Sequence, residues 1–201
     1  MAGDSIRFFE SQFQRQVREG DLALNPFEQL ALPYLRGHIL DYGCGLGNLS
    51  VAAARQGCTV EALDASPTAI GHLRDVARTE ALPIAASEAD LRNHALEEQY
   101  DSIVCIGLLM FFDCPAARAQ LHELQRHVRA GGVAIVNVLV EGTTYRDMFD
   151  PASHCLWAEG ELRECFSGWE LLRWEHQEFP APHETVKSFA TLVARRPGPA
   201  S

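Results

Sequence analysis

Hydrophobic positions along this chain follow two periods in turn, about 3.6 and 2 residues. From Ser5 to Glu19 the apolar residues Ile6, Phe9, Phe13 and Val17 recur at helical spacing with charges between them. That predicts a helix docked by one stripe. Asn25-Pro26-Phe27-Glu28 reads as an N-cap, a proline at the first helical position and a glutamate at the third. The helix it starts is expected to end near Leu35. Ile39-Leu40-Asp41 then forms a strand ending in an acid, three alternating glycines follow, and Leu49 and Val51 to Ala54 resume as a helix. Thr59–Asp64 reads as a second strand, Ala69–Leu82 as a helix and Pro83–Ala86 as a third strand.

Asp101–Ile106 is apolar enough to be a central strand buried on both faces. Pro115–Arg129 is a helix with Ala119, Leu121, Leu124 and Val128 inward; Ala130-Gly131-Gly132 ends it, and Val133–Leu139 is the fifth strand. Five β-α units in this order imply an α/β fold with a parallel, doubly wound sheet. The tail breaks the alternation. Glu141 to His154 is expected as a loop or lid, Glu159–Phe166 as a short helix, and Trp169–Phe179 with Ser188–Ala194 as an edge hairpin. The two leading helices precede the first strand, so they can lie across its carboxyl end. Residues 1–36 are therefore expected as a helical cap of the same domain that residues 37–201 build.

Composition narrows the function. The chain has 201 residues and a net charge of −10, with no Lys/Arg cluster. A nucleic-acid surface would need a basic stripe. No apolar run reaches membrane-spanning length and no secretory signal is present. The six cysteines lie scattered without C-x-x-C pairs. Most sit in apolar runs and read as reduced core residues of a cytoplasmic protein, with no metal site. A small-molecule partner is expected, and the chain as a monomer or homodimer.

The glycine turn carries the chemistry. Gly43, Gly45 and Gly47 stand two apart, with Asp41 two before the first. Dinucleotide folds use G-x-G-x-x-G instead. Asp64 lies about 20 residues beyond the turn, where ribose-binding folds place a carboxylate on the vicinal hydroxyls.

The D-x-G-x-G-x-G form resembles motif I of class I S-adenosylmethionine (AdoMet) methyltransferases, and R-A-G-G-V before the fifth strand resembles the matching turn. Trp157 to Glu170, Phe189 to Arg195 and Leu109 to Phe112 resemble the tellurite-resistance TehB family. That likeness implies a Rossmann-like, seven-stranded sheet, mostly parallel, with an antiparallel C-terminal strand. It implies methyl transfer from AdoMet, leaving S-adenosylhomocysteine, to a small nucleophile such as a tellurium or selenium oxyanion. Asp41, Gly43, Gly45 and Gly47 would then hold the cofactor with Asp64, Ala65, Asp90, Leu91, Ile106 and Gly107. Asp90 would serve the adenine amino group, and Ile106-Gly107 the methionine part. Arg15 and Phe13 of the first helix are expected to reach it, with Phe111, Phe112 and Trp157 as candidate rings near the sulfonium.

For the acceptor, His183 and Lys187 are what remains of the family's basic groups, and Ser188 stands where an arginine is expected. A pocket without a guanidinium fork loses bidentate anion recognition. His154, His176 and His183 are candidate bases or substrate ligands. Two other readings compete. One is a non-catalytic AdoMet-binding or partner-binding protein. The other is an NAD-dependent oxidoreductase, disfavoured by the glycine spacing and by the lack of a Tyr-x-x-x-Lys pair.

Overall fold

The structure, a computed structural model, describes residues 4–20, 22–92, 94–150, 153–158 and 160–198. For residues 4–8, Ile6 among them, only the backbone is described, and Glu159 lies outside the described residues. The chain runs through α1 (Asp4–Glu19), α2 (Pro26–Ala31), β1 (His38–Tyr42), α3 (Asn48–Arg55), β2 (Thr59–Asp64), α4 (Pro67–Thr79) and β3 (Ile84–Glu88). It continues through β4 (Tyr100–Ile106), α5 (Cys114–His127), β5 (Val128–Leu139), α6 (Glu161–Cys165), β6 (Glu170–Ala181) and β7 (Thr185–Arg195).

The seven strands form one sheet in the order β3-β2-β1-β4-β5-β7-β6. β1 to β5 pair in parallel, β7 runs antiparallel to β5, and β6 antiparallel to β7. The expected doubly wound sheet with an antiparallel C-terminal strand is thus present. Alternate residues of each central strand feed opposite cores. Leu40, Tyr42, Ile103, Cys105, Val136 and Leu192 pack toward α5 and α6. Ile39, Val60, Val104, Ile135 and Val193 pack toward α2, α3 and α4.

The local signals act as their chemistry dictates. Asn25 Oδ1 accepts from the amides of Phe27 and Glu28, and Glu28 Oε2 accepts from the Asn25 amide at 2.7 Å, a closed capping box. α2 stops at Ala31, earlier than expected. Pro33 has no amide to continue the ladder, and Leu32–Tyr34 tightens into a 3-10 turn.

One expected turn is strand. Ala130-Gly131-Gly132 belongs to β5 because the chain beyond β7 pairs with it: Gly131 N donates to Arg196 O at 3.0 Å and Arg196 N to Gly132 O at 2.8 Å. The Arg196 guanidinium also donates to the carbonyls of Arg126 and Val128, capping the end of α5. A Cβ on Gly132 would lie 2.9 Å from the carbonyl oxygens of Arg129 and Asp101, so only glycine fits there.

The cysteines require a correction. Cys114 and Cys155 are joined by a disulfide, although most of the six were expected as reduced core residues. Cys114 opens α5, while Cys155 returns from the loop after β5 and donates its amide to Met110 O at 3.0 Å. That return brings positions 41 apart in sequence to a Cα separation of 4.7 Å, which no local spacing announces. Cys44, Cys58 and Cys105 are buried and free, and Cys165 is free and exposed. Cys155→Ser should lower the unfolding free energy by about 2–4 kcal/mol, since it frees a loop of intermediate length. Denaturant titration with and without reductant checks this, and reductant should not destabilise the variant further.

Candidate functional site

β1 and β4 are neighbours, but β1 leads to β2 on one side while β4 leads to β5 on the other. Such a reversal leaves a crevice at the carboxyl ends of the strands. A cavity of about 430 Å³ lies there, lined among others by Asp41, Gly43, Gly45, Asp64, Asp90 and Gly107.

The glycine turn fits this edge because its amides are engaged. The amides of Gly43 and Cys44 donate to Leu63 O at 2.8 and 3.0 Å, and that of Gly45 donates to Asp64 Oδ2 at 2.8 Å. Asp64 Oδ1 accepts from Ser66 N at 2.9 Å, so one carboxylate joins the turn after β1 to the turn after β2. Gly45 has φ +53°, and a Cβ on it would meet the Phe13 ring at 3.3 Å. Gly47 works differently. It precedes α3 with φ +75°, and a Cβ there would lie 2.5 Å from Leu73 of α4. It serves helix packing and is not in the cavity wall.

Acids dominate this end. Asp41 is buried, and the Ser50 hydroxyl donates to it at 2.6 Å. Burial pushes its carboxyl up to about 7; Ser50 opposes that, while Glu28 and Asp64 add to it. Burial also raises the carboxyls of Glu28 and Asp64. The Tyr42 hydroxyl donates to Leu91 O at 2.5 Å and so fixes the loop carrying Asp90 and Leu91, both in the wall.

α1 lies across the opening. Phe13 lines it over Gly45, and Phe9 meets Phe111 edge-on at 5.0 Å. The Glu10 carboxylate accepts from the hydroxyls of Ser66 and Thr68. The wall also includes Asn137 of β5, Lys187 and Phe189 of β7, Phe27 of α2 and Met148 of the loop after β5. Phe27 and Phe189 pack with centroids 4.8 Å apart. Lys187 Nζ sits 4.7 Å from the centre of the Tyr145 ring, and burial lowers its proton affinity.

Residues 32–188 match the family described as tellurite resistance protein TehB. The chain belongs to the TehB family. A protein named probable S-adenosyl-L-methionine-dependent methyltransferase TehB, from Haemophilus influenzae strain 10810, is 28% identical over 79% of this chain and 57% of its own length. A protein of Eikenella corrodens named hemagglutinin 1 is 30% identical over 79% of this chain and 54% of its own length. The chain therefore spans little more than half the length of these relatives. A ubiquinone biosynthesis O-methyltransferase of Xylella fastidiosa strain 9a5c is 30% identical over 77% of this chain and 74% of its own. The fold is shared with the crystal structure of TehB from Haemophilus influenzae, with a TM-score of 0.75 at 22% identity over 87% of this chain and 63% of that one.

Within this TehB-family chain the cavity gathers Asp41, Gly43, Gly45, Asp64, Ala65, Asp90, Leu91, Ile106 and Gly107 from the sequence-predicted set. It does not gather the catalytic candidates. Of His154, His183 and Lys187, only Lys187 lines it. His183 sits exposed in the β6–β7 turn at φ +58°, and His154 stacks on Phe149 and bonds Arg146 at 3.1 Å. His176 Nε2 bonds Ser188 Oγ at 2.6 Å. Ser188 is buried on the strand face opposite Lys187. Arg15 is exposed and outside the wall, since Phe9, Gln12, Phe13 and Gln16 form the stripe of α1 that meets it. Phe111 and Phe112 line the cavity, but Trp157 is fully buried under the Arg118 guanidinium.

Sequence reasoning missed Glu28, Asn137, Met148 and Phe189. Only Asn137 carried a signal, as a polar residue inside an apolar strand.

The Glu10 latch gives a test. Glu10→Ala should lower the opening free energy of α1 by about 1–2 kcal/mol, the scale of lost charge-assisted hydrogen bonds at a part-exposed site. Hydrogen exchange across residues 9–19 should rise several-fold, with β1 and β4 unchanged.

Proposed function

We propose that this chain is an AdoMet-dependent methyltransferase acting on a small-molecule acceptor. The charge of the cavity carries this reading. Glu28, Asp41, Asp64 and Asp90 line it against Arg92 and Lys187. AdoMet presents a sulfonium and an ammonium against one carboxylate, a net cation that suits this surplus of acids. A dinucleotide would press its anionic pyrophosphate into the same acids, an unfavourable like-charge contact. The glycine turn agrees, because a Cβ on Gly43 or Gly45 would fill space at the wall.

In this reading Asp64 accepts from the ribose hydroxyls with the oxygen lone pairs its backbone bonds leave. Asp90 and Leu91 hold the adenine, and Asp41 with Glu28 faces the ammonium. The backbone at Ile106-Gly107 supports the methionine chain. AdoMet supplies an activated methyl group: an acceptor lone pair bonds to the methyl carbon while the carbon–sulfur pair returns to sulfur, leaving S-adenosylhomocysteine. Positioning by a closed site can contribute up to about 7–11 kcal/mol to such a displacement. α1 and the loop after β5 exclude water from it, and Phe111 offers a ring near the sulfonium. Lys187 draws the acceptor's negative charge. Tellurium and selenium oxyanions are the acceptors the family suggests, and an unprotonated lone pair of this kind needs no base. We place this activity in the cytoplasm, in a monomer or homodimer. Among the described residues no helix is long and apolar enough to cross a membrane.

The deciding measurement is release of S-adenosylhomocysteine with selenite, tellurite and a thiol offered in parallel, beside its binding by calorimetry. Asp64→Ala should weaken S-adenosylhomocysteine at least about tenfold, the scale of losing a buried bidentate hydrogen bond to a charged group. Binding without turnover of any acceptor would favour the non-catalytic reading.

pH gives an independent check. Asp41, raised to about 7, must lose its proton to face an ammonium. Affinity for S-adenosylhomocysteine should therefore rise from pH 6 to pH 8 and flatten in Asp41→Asn. Without ligand the sign reverses. A carboxyl that titrates higher in the folded chain gives its stability at low pH and loses it as pH rises through about 7.

A further inference from the structure

Asn137 is an amide set among apolar residues near the carboxyl end of β5, with no exposed surface. Its Nδ2 donates to Thr191 Oγ1 at 2.8 Å, while Oδ1 has no partner in the protein. A buried acceptor left in this state is unfavourable. The residue belongs to the cavity wall, and its carbonyl accepts from Gly107 N at 3.1 Å, beside the stretch assigned to the methionine chain.

β7 continues from this point. Thr191 lies opposite Asn137, and Phe189 and Lys187 follow at alternate positions on the same face. Phe27 packs on Phe189 from α2. A neutral hydrogen-bond acceptor, an aromatic wall and a cation thus stand in a row. Among the described residues no carboxylate forms a salt bridge with Lys187.

We propose that the methyl acceptor is an aromatic acid bearing a hydroxyl. Its hydroxyl donates to Asn137 Oδ1, its ring lies against Phe189 and Phe27, and its anionic group meets Lys187. This rests on the methyltransferase reading above. The row explains the orphaned amide oxygen, which only a donor satisfies. It also sets the length of the acceptor. Thr191 and Lys187 are four residues apart, about 13 Å of strand before the reach of the lysine arm is subtracted. An acceptor that touches both ends is therefore longer than a bare oxyanion. The hydroxyl at Asn137 is a recognition group, and Lys187 holds the anionic end of the same molecule.

Calorimetry on the full chain saturated with S-adenosylhomocysteine tests this, with 4-hydroxybenzoate, benzoate, phenol and selenite as probes. In the unaltered protein 4-hydroxybenzoate should bind about fivefold or more tightly than benzoate, the scale of one hydrogen bond, and more tightly than phenol. Asn137→Val should remove the preference over benzoate. Lys187→Met should remove the preference over phenol. Circular dichroism and a cooperative melt show that each variant has folded; should Asn137→Val fail to fold, the comparison of probes on the unaltered protein decides. Equal binding of 4-hydroxybenzoate and benzoate overturns the inference, as does selenite binding that displaces 4-hydroxybenzoate yet ignores Asn137→Val. Failure to bind S-adenosylhomocysteine at all overturns the methyltransferase reading and this inference with it. Binding of S-adenosylhomocysteine without the hydroxyl preference overturns this inference alone.

Discussion

Three carboxylates crowd the carboxyl edge of the sheet, Asp41 buried and Asp64 and Glu28 half-buried, and each is pushed toward its protonated form. Burying like charges is unfavourable unless hydrogen-bond donors surround them. The fold supplies those donors from fixed places: Ser50 of α3 for Asp41, the amides of Gly45 and Ser66 for Asp64, and the Asn25 amide for Glu28. The glycine turn exists to deliver one of them. Gly45 reaches Asp64 only because its backbone takes φ +53°, where a side chain would strain. These donors satisfy individual oxygens, and none of them is a cation.

The core of alternating strands and helices makes only this half of the site. The other half comes from segments outside that repeat. α1 arrives before β1 and is held by Glu10 on the α4 turn. The loop after β5 brings Met148 and Phe149 onto Phe111, and Cys155 ties its return to the head of α5. The β6–β7 hairpin adds Lys187 and Phe189. Closure therefore depends on contacts between parts distant in sequence, and each can open without unfolding the sheet.

That division explains what the sequence disclosed. β2 is read to the residue because its pattern and its terminal acid are local, and the same holds for the Asn25 capping box. The spacing of Asp41, Gly43, Gly45 and Asp64 places all four at one edge because β1 and β2 are adjacent and in register. Legibility ends where a distant segment decides. Ala130-Gly131-Gly132 carries a turn signature, but Arg196 pairs with it across the sheet. His154 and His183 suit acid–base work by type, yet one stacks on Phe149 and the other tops a hairpin. Neither loop has a period from which a facing could be read. The Cys114–Cys155 bridge was invisible for the same reason.

β7 shows how finely the outcome is set. Ser188, at the position where the family's arginine is expected, turns away from the cavity to meet His176, while its neighbours Lys187 and Phe189 turn toward it. Strand geometry forbids adjacent residues from sharing a face. A guanidinium at 188 would accordingly start from the far face of β7, and its loss leaves this cavity wall unchanged. Beside Phe189 the cavity wall carries the Lys187 cation and the neutral amide of Asn137. On the acceptor proposed above, Lys187 and the orphaned amide, set apart by a phenylalanine, select for length as well as charge.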